Sequence, residues 1–185
     1  HGQYDSISEV FWATGACLFV RSEQFRRVGG FDPFFFAHQE EIDLCWRLQN
    51  AGYKIFVQPE STVYHVGGGS LEMGNPKKVF LNYRNNLIML YKNLDSRSRF
   101  STILIRMVLD GVAGIQLLLK GRGGSFTAVI KAHGGFYKWL FSANRKTSDH
   151  NKRKRGLIGM YAGSIVWDYF VRKKKTFSNI VDNKR

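Results

Sequence analysis

Gln39–Ile55 reads QEEIDLCWRLQNAGYKI, and its periodicity sets the frame for everything around it. Ile42, Cys45, Trp46 and Gln49 fall on one face of a helix predicted from about Glu40 to Asn50, with Gly52 just past its end. Glu40, Glu41 and Asp43 occupy the first turn, where the helix dipole favours carboxylates. Asp43 and Arg47 lie one turn apart and are placed to pair. Upstream, the apolar run FWATGACLFVR (Phe11–Arg21) ends in a β-type stretch. Ser22 then opens a short helix carrying Phe25 and Val28, stopped at Gly29-Gly30. Asp32-Pro33 begins a phenylalanine-rich loop. Downstream, Tyr53–Val57 and Thr62–His65 read as short strands around a Gln58-Pro59-Glu60 turn, followed by the flexible Gly67-Gly68-Gly69. Asn75-Pro76 starts a helix running to about Leu94, with Val79, Tyr83, Leu87 and Leu90 on one stripe and Arg84 and Asn85 beside it. Strands and helices joined by glycine stops make this an α/β segment.

The 185 residues are 44% apolar and 15% aromatic, enough for one buried core and incompatible with a disordered chain. The chain opens at His1 with no basic and apolar leader pattern, and the expectation is that this start cuts through a larger protein. Cys17 and Cys45, far apart and each in an apolar pattern, read as reduced, buried thiols, which favours the cytoplasm. Neither has the paired spacing of a zinc site.

Twenty-eight Lys and Arg against 14 Asp and Glu leave a net charge of +14, which implies a polyanionic partner. The acids crowd the first half. The bases dominate the end, in Arg145-Lys146, Lys152-Arg153-Lys154-Arg155 and Arg172-Lys173-Lys174-Lys175. Beyond Asp95 the character changes, with helices expected near 99–119, 125–142 and 157–172, although Gly134-Gly135 and Gly159 weaken the last two. The organisation expected is therefore residues 1–95 as one α/β unit and 96–185 as an appended basic, amphipathic helical region.

Three groups carry candidate chemistry: the acids Glu40, Glu41 and Asp43, the strand-end His65 beside the triple glycine, and Arg84 in the phrase Tyr83-Arg84-Asn85-Asn86. Each also has a plain reading, as helix-dipole acids, a structural histidine and a solvated helix arginine. Together the phrases GACLFVR, VGGFDPFFF, QEEIDLCWRLQNAGYKI and VYHVGGGS, in that order, resemble the acceptor-side half of family 2 glycosyltransferases, especially rhamnosyl- and galactofuranosyltransferase-like bacterial members. The resemblance covers about Trp12 to Leu94.

It implies the C-terminal part of a GT-A, Rossmann-like catalytic domain, and an inverting transfer from a nucleotide-diphosphate sugar to a glycan or lipid-linked acceptor in cell-surface polysaccharide synthesis. The acidic pair would supply the general base. The family's pair is usually Glu-Asp; here it is Glu40-Glu41, with Glu41 at the base position and the choice between them open. His65 would complete a divalent metal site, Mg²⁺ or Mn²⁺, at the leaving diphosphate. The other ligands would come from an Asp-x-Asp motif, which this sequence lacks. The nucleotide-binding half is accordingly expected to be absent and the fragment inactive alone. Gly15, Ala16 and Asp32 would line the acceptor floor, Asp43 would assist substrate binding, and Arg84 would reach diphosphate oxygens. For Gly15 and Gly29-Gly30 a turn or packing role is equally open.

Arg99 and Lys120 bracket a stretch long enough to span a bilayer, but Arg106 and Asp110 lie at its centre. An in-plane amphipathic helix on an anionic membrane fits better, with Leu104, Val108, Ile115 and Leu119 turned away from the charged pair. A core helix packed on the body is the competing reading. The expected location is peripheral, at the cytoplasmic face of a bacterial plasma membrane. A basic nucleic-acid-binding or membrane-attachment module without catalysis is the rival function. No nucleic-acid motif supports it, and no specific nucleic acid is expected.

Overall fold

The computed structural model describes residues 5–65, 74–142, 157–161, 163–176 and 179–180. Gly67-Gly68-Gly69, Arg145-Lys146 and Lys152–Arg155 lie outside these residues.

The architecture is mostly helical with one small sheet. Strand β1 (Ser8–Glu9) pairs antiparallel with β2 (Phe56–Val57), Ser8 opposite Val57 and Glu9 opposite Phe56. Between them run α1 (Ser22–Arg27) and α2 (Glu40–Asn50), and after them α3 (Pro76–Asn93), α4 (Ser96–Leu119), α5 (Gly123–Leu140) and the short α6 (Ile165–Phe170). The strand content expected from sequence is corrected downward. Gly15–Cys17 is a 3-10 turn, stabilised where the Thr14 hydroxyl accepts from the Ala16 N–H at 3.4 Å, and Thr62–His65 is not a strand. A strand needs a partner ladder as well as a β-prone composition, and among the described residues the only ladder is β1 with β2.

Helix ends follow their local chemistry. Asn75 Oδ1 accepts from the Lys77 N–H at 2.8 Å, with Pro76 at the first position of α3. Asp95 Oδ1 accepts from the N–H groups of Arg97 and Ser98 to open α4. Gly29 and Gly30, at φ 87° and 64°, end α1 in the left-handed region that glycine enters without strain. The expected helix over 157–172 is reduced to α6, Ile165–Phe170, among the described residues.

The core joins Phe35 and Trp46 to Leu87, Ile88 and Met89 of α3, Ile103 of α4, and Phe136 and Trp139 of α5. The inward face of α3 keeps Leu87 from the stripe its periodicity suggested and otherwise differs from it. Leu81, Asn85, Ile88 and Lys92 are buried, while Val79, Tyr83 and Leu90 are half-buried, because α3 is covered on one side by α2 and on another by α4 and α5. The glycines inside α5 do not break it. At Gly135 an added Cβ would meet Arg84 Cδ at 3.2 Å and the Phe80 ring at 3.4 Å, so the missing side chain lets α5 lie close against α3.

Helix α4 is divided lengthwise. Ile103, Asp110 and Gly114 face inward and are buried, and Arg106 Nε reaches Asp110 Oδ1 at 2.7 Å with His133 Nε2 of α5 at 3.4 Å from Oδ2. Phe100, Leu104, Val108, Ile115 and Leu119 stand on the exposed side. One face thus packs on α5, as the core-helix reading expects, and the other is a bare apolar strip. Among the described residues α4 is the one helix that is long and apolar enough to cross a membrane, by length and composition.

Candidate active site

The loop entering α2 is held in a backbone shape that its sequence alone would not adopt. Phe36, His38 and Gln39 have φ of 61°, 69° and 74°, the left-handed region that side chains other than glycine resist. One side chain opposes that resistance. Asn85, fully buried on α3, directs its amide nitrogen at the carbonyls of Phe35 (2.9 Å), Ala37 (2.8 Å) and His38 (2.8 Å). Arg84 fixes the other end of that amide, its Nε and Nη2 donating to Asn85 Oδ1 at 2.9 and 2.8 Å. The same guanidinium lies over the rings of Phe34 and Phe80, 4.9 and 5.1 Å from their centroids, and donates to the Phe34 carbonyl at 3.2 Å. Burial draws the Arg84 pKa below its usual value.

This strained loop delivers the acidic pair. Gln39, the residue before α2, makes no side-chain cap, so the first amides of the helix are not closed off by it. Around this point four polar atoms are shielded yet have no partner among the described residues: His38 Nε2, Glu40 Oε2, Glu41 Oε2 and Asn86 Oδ1. Asn86 is tied to the loop through its own amide nitrogen, 3.5 Å from Gln39 Oε1. Four of the seven such atoms among the described residues gather here, a departure from the usual pairing of buried polar atoms in native interiors. Burial pushes the Glu40 carboxyl above its usual value, and the neighbouring Glu41 charge acts in the same direction, against its own backbone N–H and the charge of His38.

Gly15 completes the approach to the pair. An added Cβ there would stand 4.0 Å from the Cβ of Glu41, so the Gly15–Cys17 turn lies close over the base position. On its other side, Thr14 and Cys17 line an open groove of about 950 Å³ bounded by Trp12, Tyr53 and Val57. Neither acid of the pair lines that groove.

The remaining sequence candidates sit elsewhere or carry scaffold contacts. Asp32 caps the 3-10 turn Pro33–Phe35 through the Phe34 N–H at 2.9 Å and pairs with Lys92 Nζ at 2.7 Å. Burial raises its carboxyl pKa, but the Lys92 and Phe34 hydrogen bonds outweigh that and leave it below the usual value. Asp43 is fully buried against Arg47, Lys92 and Asn93. Ala16 lies within the 3-10 turn beside Gly15. His65 is exposed, and the groups acting on the Glu40 carboxyl are Glu41 and His38 rather than His65. Among the described residues no three of His, Cys, Asp and Glu are gathered closely enough to hold a metal ion.

A glycosyltransferase profile, described as glycosyl transferase family group 2, matches residues 1–104, a stretch that contains the loop, the acidic pair, His65 and Asn85. The chain belongs to that family. A segment of this chain is 43% identical over 56 residues to the N-acetylglucosaminyl-diphospho-decaprenol L-rhamnosyltransferase of Mycobacterium tuberculosis, covering 30% of this chain and 18% of that protein. It is 41% identical over 60 residues to rhamnosyltransferase WbbL of Escherichia coli, covering 32% and 23%. It is 40% identical over 58 residues to the pre-mycofactocin glycosyltransferase of Mycobacterium tuberculosis, covering 31% and 12%. The matching stretch thus spans less than a quarter of each relative. No solved structure matches the chain.

Sequence reasoning missed two residues of this region. Asn85 was visible only as a polar residue beside an apolar stripe, and its role depends on three carbonyls about fifty positions away. His38 was hidden in a phenylalanine-rich loop, with no spacing signal.

The raised Glu40 pKa has a consequence for stability. Between the usual 4.5 and the raised value the folded chain holds a proton that the unfolded chain has released, so stability falls as pH rises through that window. Above it, ionised Glu40 is a standing cost. Glu40→Gln is therefore expected to melt at a higher temperature than the parent at neutral pH, with the gap closing as pH is lowered towards 4.5. Parallel thermal melts across pH check this, and a lower melting temperature for the variant at neutral pH would contradict it.

Proposed function

We propose that this family 2 glycosyltransferase transfers a sugar with inversion from a nucleotide-diphosphate donor to a lipid-linked glycan acceptor, with Glu41, or in its place Glu40, as the general base. The observation that carries the reading is the pair of adjacent carboxylates at the start of α2, each with a shielded oxygen that no group among the described residues satisfies. The acceptor hydroxyl gives its proton to the carboxylate as its oxygen attacks the anomeric carbon, and the bond to the diphosphate breaks on the opposite face. A carboxyl with a raised pKa is a stronger base once ionised, and Glu40 has that property. Gly15, by lacking a side chain over Glu41, leaves room for a sugar to approach the backbone.

The names of the relatives suggest the substrate class. A rhamnosyltransferase that acts on an N-acetylglucosaminyl-diphospho-decaprenol points to a deoxyhexosyl donor and a polyprenyl-diphosphate acceptor, as in cell-surface polysaccharide synthesis. A bare apolar strip on α4 and a net charge of +14 support a peripheral position on an anionic bacterial membrane, on its cytoplasmic side, where such an acceptor would be met. A divalent ion, Mg²⁺ or Mn²⁺, with His65 as one ligand remains part of the proposal. The described residues do not by themselves make a metal centre, and no step above is routed through one.

The test is transfer by the whole protein from nucleotide-activated deoxyhexoses to a polyprenyl-diphosphate glycan, with the anomeric configuration of the product read by NMR. Inverted configuration is expected. Retained configuration would remove the single-displacement role of the carboxylate pair.

A further inference from the structure

Helix α6 is built inside out. A short surface helix of a soluble protein turns its apolar residues inward, yet Ile165, Val166, Trp167, Tyr169, Phe170 and Val171 are all exposed, Phe170 to 64% and Trp167 to 56%. The buried residue is the acid. Asp168 is 2% exposed; it accepts from the Tyr161 hydroxyl and from Arg172 Nη1 at 3.0 Å, and its carbonyl accepts from the Lys174 N–H at 3.0 Å. Those contacts fix the helix by its polar residue and fold the segment Arg172–Lys175 back beside it. Arg172, Lys173 and Lys175 are exposed.

We infer that α6 with its trailing Arg172–Lys175 segment is an insertion element for an anionic lipid bilayer, the aromatic and aliphatic side chains entering the headgroup boundary and the bases binding lipid phosphates. This deepens the membrane-docking part of the proposed function and rests on it for the partner, but on a different element from α4. Trp and Tyr favour the membrane interface, with the ring in the apolar layer and the polar edge in the headgroups. The immediately adjacent run of bases matches an anionic leaflet in sign. A nucleic acid would use the bases and could stack on the rings, but it has no use for exposed Ile165, Val166 and Val171, which a bilayer does.

The test is co-sedimentation of the full chain with phosphatidylcholine vesicles, with and without phosphatidylglycerol. Each basic residue near an anionic surface contributes about fivefold to partitioning, so the triple variant Lys173→Gln, Lys174→Gln, Lys175→Gln is expected to lose on the order of 100-fold on anionic vesicles. Trp167→Ala with Phe170→Ala is expected to lose about tenfold or more. Both sets lie on exposed or half-exposed side chains outside the core cluster, and unchanged melting temperatures would confirm that the fold is intact. Parent-like binding by both variants overturns the role of α6. If Leu104→Ser with Val108→Ser on α4 then abolishes binding, docking stands on α4 alone. Absence of vesicle binding by the parent chain overturns α6 and the membrane reading together. Transfer activity is measured separately, so either result leaves the catalytic reading to its own test. Displacement by a random oligonucleotide, combined with parent-like vesicle binding of the Trp167 and Phe170 variant, would assign the bases to nucleic acid instead.

Discussion

On the proposed carboxylate-base reading, Glu41→Gln in the whole protein is expected to lower sugar transfer by on the order of 10²–10⁴-fold while leaving donor affinity close to that of the parent. Glutamine keeps the shape of the side chain under the Gly15–Cys17 turn, where Gly15 leaves an approach of 4.0 Å from its notional Cβ to that of Glu41, and removes only the ability to accept a proton. The loss should therefore fall on kcat more than on KM. Glu40→Gln in parallel separates the two acids. The base is the residue whose amide variant shows the large loss and whose removal abolishes the acidic limb of the pH-rate profile. The other should show a smaller effect through its neighbour's charge, since Glu41 acts on Glu40 electrostatically. Turnover like the parent's in both variants would remove the carboxylate-base assignment.

The site was readable from sequence only where its signals were local. The acids at the start of α2 announced themselves because a helix period, a first-turn carboxylate cluster and a glycine after the end coincide within Gln39–Gly52. The Asp43–Arg47 pair followed from one-turn spacing and is present at 2.8 Å. The start of α3 was similarly local, written in Asn75-Pro76, whereas α4 begins on the Asp95 cap at Ser96, three residues before the apolar run suggested. What was not readable depended on distant partners. The apolar run Phe11–Arg21 has strand composition but finds no ladder partner among the described residues, and Gly15–Cys17 within it makes a 3-10 turn. The loop Phe34–Gln39 takes three left-handed residues because Asn85 supplies a donor from another helix, and nothing near residue 36 encodes that. Gly134-Gly135 weakened the case for α5 by propensity, yet Gly135 is the place where α5 meets Arg84 and Phe80. Tertiary packing reversed the sign of a local preference there.

The same contrast predicts the largest effect on stability, at Asp43. This carboxylate has no exposed surface and is surrounded by donors: Arg47 Nε at 2.8 Å, Asn93 Nδ2 at 2.7 Å, and Lys92 Nζ at 3.5 Å. Its partners hold further structure in turn. Arg47 donates to the carbonyls of Val28 and Gly30 at 2.6 and 2.7 Å, fixing the turn after α1. Lys92 reaches Asp32 at 2.7 Å, fixing the loop that precedes the acidic pair. Asp43→Ala leaves Arg47 without the carboxylate it pairs with and Asn93 short of one acceptor in a poorly solvated place, with Lys92 still held by Asp32, a loss of about 3–5 kcal/mol for removal of one member of a buried pair. Against a typical total of about 5–15 kcal/mol, that is about a fifth or more of the stability of an ordinary domain. Asp43→Asn should recover part of it, since its single amide oxygen can still accept from Arg47 or from Asn93, while its amino group faces the other donor. Urea unfolding midpoints of the two variants measure the effect. A residue acting on substrate alone would shift KM and leave the midpoint in place, so an unchanged midpoint with altered KM would return Asp43 to the substrate-binding set.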